Sequence, residues 1–145
     1  MKSVSFVTIL GLTMLFFSCG NAANNTAKLA DDMCGCFSSA QSKMDAETTD
    51  LFNKVSNSET PQQTLQQEMA KLNPEKLKTV TEIIQSVGSK DSPISKCLSD
   101  FDKNHQGTKT TDRKQLALEI AAQMKKNNNC ALGTAVIYMG AKTSQ

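Results

Sequence analysis

The chain has 145 residues, 39% of them hydrophobic, which is the size of one ordinary domain. Eleven apolar residues fall within Met1–Ser18, and the remaining 127 residues hold 45, about 35%, a lean supply for a self-sufficient core. With Lys2 set aside, 15 basic side chains face 14 acidic ones, so no electrostatic grip on nucleic acid is expected. After Ser18 the only aromatic residues are Phe37, Phe52, Phe101 and Tyr138, which excludes a stacking platform for bases or sugars.

The first element is an address rather than a fold. Lys2 supplies a positive end, Val4 to Phe17 an apolar stretch too short to span a bilayer, and Phe16-Phe17-Ser18-Cys19-Gly20 follows at once. This pattern reads as a signal peptide over residues 1–18. The segment resembles the lipobox of bacterial lipoproteins, with a bulky residue three before the cysteine and small residues on either side of it. Phenylalanine-rich lipoboxes ending in Ser-Cys are similar to those of Bacteroidota. The resemblance implies cleavage before Cys19 and diacylglycerol attached to that thiol, with palmitate among the chains of the anchor. Two or more chains, at about 0.8 kcal/mol per buried methylene, hold a protein on a membrane far more firmly than one. Gly20-Asn21-Ala22-Ala23-Asn24 lacks the acidic run that resembles a surface-export tag, which implies the periplasmic face of the outer membrane. Cysteine arithmetic agrees: setting Cys19 aside leaves Cys34, Cys36, Cys97 and Cys130, an even set suited to an oxidising compartment.

Residues 19–26 are expected to be the lipidated cysteine and a short polar linker with a reach of about 23 Å, and residues 27–145 a helical domain. Leu29, Met33, Cys36, Phe37, Ala40, Met44, Leu51 and Val55 recur at three- and four-residue steps, which predicts a helix A over about 26–55. Asp31 and Asp32 are read as partners of its positive dipole end. Thr60-Pro61, Asn73-Pro74 and Ser92-Pro93 each place a capping residue before a proline, so three further helices are expected to start there. Leu65, Met69 and Leu72 line the first of these, Leu77, Val80, Ile84 and Val87 the second, which Gly88 ends, and Ile94, Cys97, Leu98 and Phe101 the third. A polar loop follows over 103–109, and Thr111 caps a helix carrying Leu116, Ile120 and Met124. Asn127-Asn128-Asn129 interrupts before Leu132–Met139, so the segment over 111–140 is compatible with one helix or two. Val136-Ile137-Tyr138 has strand character but no partner strand. The fold class is therefore all-α, a small bundle of about five helices.

The most pointed motif is Met33-Cys34-Gly35-Cys36. On a helix Cys34 and Cys36 point about 160° apart, so they flank the buried face and each is expected to meet a different neighbour. Two disulfides dividing Cys97 and Cys130 between them follow, in either order. The rival reading takes Cys34 and Cys36 as soft ligands for copper or zinc, or, with the helix broken at Gly35, as a redox pair. His105, the single histidine, lies in Asn104-His105-Gln106-Gly107 and reads as a solvated loop residue. No triad, phosphate loop or His-Glu-x-x-His pair is present, and no catalytic residue or cofactor is assigned.

Taken whole, the chain is similar to small Bacteroidota lipoproteins with a Cys-x-Cys near the start of a helical mature domain, a resemblance resting on Cys19, Cys34 and Cys36 and carrying no activity with it. The function expected is a lipid-anchored, non-enzymatic binding or structural protein that meets another envelope protein, an inhibitor or immunity protein being one form. The alternative is a thiol or metal handler centred on Cys34 and Cys36.

Overall fold

The computed structural model describes residues 20–105 and 113–143. The signal segment 1–18, Cys19, residues 106–109 of the polar loop and the cap at Thr111 lie outside these residues. Within them the chain is all-α, as the periodicity requires: α1 (Gly20–Gln41), α2 (Ala46–Ser56), α3 (Pro61–Met69), α4 (Pro74–Gly88), α5 (Pro93–Asn104), α6 (Arg113–Met124) and α7 (Ala131–Thr143), with a 3-10 turn (Asn128–Cys130) leading into α7.

The X-Pro starts behave as capping chemistry demands. Asn73 accepts a hydrogen bond from the Lys76 amide at 2.9 Å, Ser92 accepts one from the Ser95 amide at 3.0 Å, and in each case proline takes the first helical position. Thr60 also precedes a proline start, but its side chain makes no cap bond.

Two boundaries differ from expectation. Helix A divides: α1 ends at Gln41, and Asp45 starts α2 by accepting from the Thr48 amide at 2.9 Å. A local cap that satisfies an end amide competes with continuation of the helix. The segment 20–26 is not an open linker either, because α1 already begins at Gly20. No proline or glycine interrupts residues 21–34, so the helix propagates back toward the N-terminus. Asp31 and Asp32 consequently sit more than two turns inside α1, where the end dipole no longer acts.

The asparagine run resolves into a break. Asn127 caps the 3-10 turn by accepting from the Asn129 amide at 3.0 Å, and α6 and α7 are separate helices. The first turn of α7 is capped from a distance: the Leu132 amide donates to the Gln41 side chain at 3.1 Å, joining the end of α1 to the start of α7. Thr134, buried, donates its hydroxyl to the Cys130 carbonyl at 2.8 Å. Among the described residues no buried side-chain nitrogen or oxygen lacks a hydrogen-bond partner, as close-packed interiors require.

α7 is the central helix, packed on α1, α2, α3 and α6, while α1 forms a spine that also meets α5. Phe37, Phe52, Val55, Met124, Cys130 and Leu132 are fully buried between them. Small residues allow this approach: Ala131, Gly133 and Ala135 all lie on the buried side of α7. Surface pairs tie the connections, with Lys76 joined to Asp45 and Glu47 at the start of α2 and Lys142 to Glu59 at 3.0 Å. No described helix is long and apolar enough to cross a membrane.

Candidate functional site: the stapled spine helix and its apolar cleft

The Cys-x-Cys motif lies in an unbroken stretch of α1. Leu29, Ala30, Phe37 and Ala40 face inward there, and Cys34 and Cys36 fall on the two edges of that face, each less than one-tenth exposed. Their divergent directions send them to different partners. Cys34 is bonded to Cys130, with Cα atoms 5.6 Å apart, and Cys36 to Cys97, with Cα atoms 5.5 Å apart. Both spacings are ordinary for a disulfide. Of the two orders that helical geometry leaves open, this one places the later partner on the Phe37 side of α1, against α7, and the earlier partner on α5.

These bonds weaken the rival readings. Neither Cys34 nor Cys36 offers a thiolate to copper or zinc, and metal ligation requires the thiolate. Among the described residues no group of three or more His, Cys, Asp and Glu side chains is arranged to hold a metal ion. A Cys34–Cys36 redox pair is also excluded, since Gly35 does not break the helix. Gly35 faces open space, and a Cβ there would meet nothing within 4 Å.

Next to the staple, α1, α5, α6 and α7 leave a cleft of about 280 Å³. Leu29, Met33, Phe101, Leu116, Ala117, Ile120 and Ile137 give it apolar walls, and Asp102, His105 and Arg113 supply its polar lining. Its volume sits at the lower edge of the range of small-molecule pockets. His105 is not a loop residue: it is half-buried at the C-cap of α5. Its ring packs on Phe101 with centroids 4.5 Å apart, and its Nε2 lies 3.9 Å from Asp32 Oδ2 on α1. The aromatic contact explains the burial, because Phe101 is one turn back on the same helix. Asp32 therefore faces the end of α5 and is not a partner of a helix dipole. The cleft itself was not legible from periodicity, since its walls come from four helices whose mutual arrangement no local pattern encodes. A second gap of about 200 Å³ lies between α1, α4 and α5, beside Ala40, Ile83 and Ile94.

The arrangement defines a class in structural terms only: an all-α domain with two disulfides radiating from one spine helix, offering an apolar cleft with mixed charge in its lining. Comparison with protein-family models, with curated protein sequences and with solved structures finds no match.

Proposed function

We propose that this chain is a non-enzymatic binding or structural protein, held on a membrane of the bacterial cell envelope through a lipidated Cys19 and facing the periplasm. The observation that carries the reading is the commitment of Cys34, Cys36, Cys97 and Cys130 to two structural crosslinks. Such crosslinks belong to oxidising compartments, and they leave Cys19 as the one remaining cysteine of the five in the sequence, the position where the lipobox resemblance needs a thiol. The motif with most chemical potential is thereby a scaffold. What the scaffold presents is shape, an apolar cleft whose lining includes Asp102, His105 and Arg113, suited to a side chain of a partner protein rather than to bond-making chemistry. An inhibitor or immunity protein is one form of this role.

Photo-crosslinking in the intact envelope tests the reading. Crosslinkers at Asp102 and Arg113, both exposed in the cleft lining, are compared with one at exposed Lys78 on α4. A discrete protein adduct from the cleft positions, lost when Ala117→Arg fills the cleft, is expected. Adducts indistinguishable between cleft and α4, or unaffected by Ala117→Arg, contradict it.

A further inference from the structure

The two disulfides differ in what they hold and in how solvent reaches them. Cys34–Cys130 is interior: Cys130 is 0% exposed and Cys34 8%, and the bond joins α1 to the 3-10 turn ahead of α7, within the body formed by α1, α2, α6 and α7. Cys36–Cys97 is peripheral. Cys36 is buried, but Cys97 is half-buried on α5, and α5 packs mainly against α1 and α4. The α4–α5 hairpin joins the core through Val80, Ile83 and Ile94, with Leu98 and Phe101 packed against it, and a solvent-reachable gap lies beside Ala40 between α1, α4 and α5. Its described surface ties to the body are the pair of Lys76 with Asp45 and Glu47 and the approach of His105 to Asp32 at 3.9 Å, and such exposed pairs contribute little.

We propose that Cys36–Cys97 is a thiol-exchange site whose reduction by a dithiol frees the α4–α5 hairpin from α1 while Cys34–Cys130 keeps the rest of the bundle closed. The proposal goes beyond the binding role and does not depend on the lipid anchor. A thiolate of the dithiol attacks the sulfur of Cys97, the less buried residue of the pair, forming a mixed disulfide and expelling Cys36 as a thiolate. The second thiol of the reductant then attacks its own sulfur in that mixed disulfide, releasing Cys97 as a thiolate and leaving as a cyclic disulfide. Two electrons pass from the dithiol to the protein, and the two protons lost by the dithiol are matched by two taken up at Cys36 and Cys97. Exchange depends on access to the attacked sulfur, and reaching Cys34–Cys130 requires an opening of the interior whose free energy approaches that of global unfolding.

The test uses the oxidised full chain under native conditions. Limiting dithiothreitol is added, thiols are trapped by alkylation at intervals, and peptides are quantified by mass. Alkylated Cys36 and Cys97 are expected to appear together, at least about tenfold faster than Cys34 and Cys130, because local opening precedes global opening. Amide exchange in the selectively reduced protein is expected to rise over 74–104 and to stay low over 113–142. Equal reduction rates, earlier reduction of Cys34–Cys130, or unchanged protection over 74–104 overturns the proposal. A monothiol, glutathione, fixes the direction of attack: its adduct is expected on Cys97, and an adduct on Cys36 overturns the assignment. The Cys36→Ser/Cys97→Ser double variant is expected to reproduce the reduced exchange profile, and loss of protection throughout the chain contradicts an independently closed body.

Discussion

Gly133 of α7 lies directly against the ring of Phe37 on α1: a Cβ at Gly133 would stand 2.7 Å from Phe37 Cδ2 and 2.7 Å from Met124 Cε. The contact fixes how closely the central helix approaches the spine beside Cys34–Cys130. Met124 can swing its terminal methyl aside, but the Phe37 ring is a rigid group buried in the core, only 1% exposed. Gly133→Ala is therefore expected to destabilise the fold by about 1 to 3 kcal/mol, the usual cost of overpacking, despite the better helix propensity of alanine. A fall in the denaturant midpoint checks this, and a rise would show that the two helices separate without cost.

Phe37 itself fills the junction of α1, α6 and α7. Phe37→Ala is expected to cost about 3 to 5 kcal/mol through lost burial and the cavity left behind, a large part of the stability of a small domain. Urea unfolding with both disulfides intact provides the measurement. An unchanged midpoint contradicts the packing described here.

The link between α2 and α3 is expected to weaken in acid. Glu68, whose side chain is 16% accessible, accepts hydrogen bonds from Lys71 and from Lys54. Those bonds, Lys71's first, hold its carboxyl below the ordinary carboxylate range. Lys54 is raised in turn, chiefly by Asp50 and then by Glu68. A lowered carboxyl stabilises fully above its unfolded value and loses that contribution as pH falls through its folded value; the raised lysine contributes below its unfolded value and loses that only in alkali, as pH rises through its folded one. Glu68→Gln is expected to flatten the acid limb of a plot of unfolding midpoint against pH, by a small amount because the pairs are near the surface. Coincident acid limbs for the two proteins contradict it.

The parts of the fold legible in the sequence were those fixed by local chemistry. Asn73-Pro74 and Ser92-Pro93 carry both a cap and a preset φ, so their helices start where read. The divergent directions of Cys34 and Cys36 follow from 100° per residue, and the structure bonds them to different elements. The break at residues 42–45 escaped because Met44 continues the apolar step from Ala40. Its signals were Asp45 as a cap and a run, Asp45 to Asp50, with only Ala46 apolar. Which of Cys97 and Cys130 meets Cys34 depends on which side of α1 receives α7, a tertiary choice absent from any local pattern. The burial of His105 likewise needs Phe101 and Asp32 from two helices brought together.

The anchor is tested at Cys19, outside the described residues. Cys19→Ala is expected to abolish lipidation and removal of residues 1–18 by the lipoprotein route, because both depend on that thiol. Mass spectrometry of the mature N-terminus decides: an unmodified Cys19 in the unaltered protein, or cleavage elsewhere, contradicts the lipoprotein reading.

Non-reduced peptide mapping of protein secreted into an oxidising compartment tests the central claim, that the Cys-x-Cys motif is a structural staple. Trypsin leaves Cys34 and Cys36 together in Leu29–Lys43, with Cys97 in Cys97–Lys103 and Cys130 in Asn127–Lys142. The account expects these three peptides to travel as one cluster. Fragmentation between Cys34 and Cys36 is expected to leave Asn127–Lys142 on the Cys34 side and Cys97–Lys103 on the Cys36 side. A Cys34–Cys36 bond within Leu29–Lys43, or four free thiols accompanied by a stoichiometric metal ion, would contradict it.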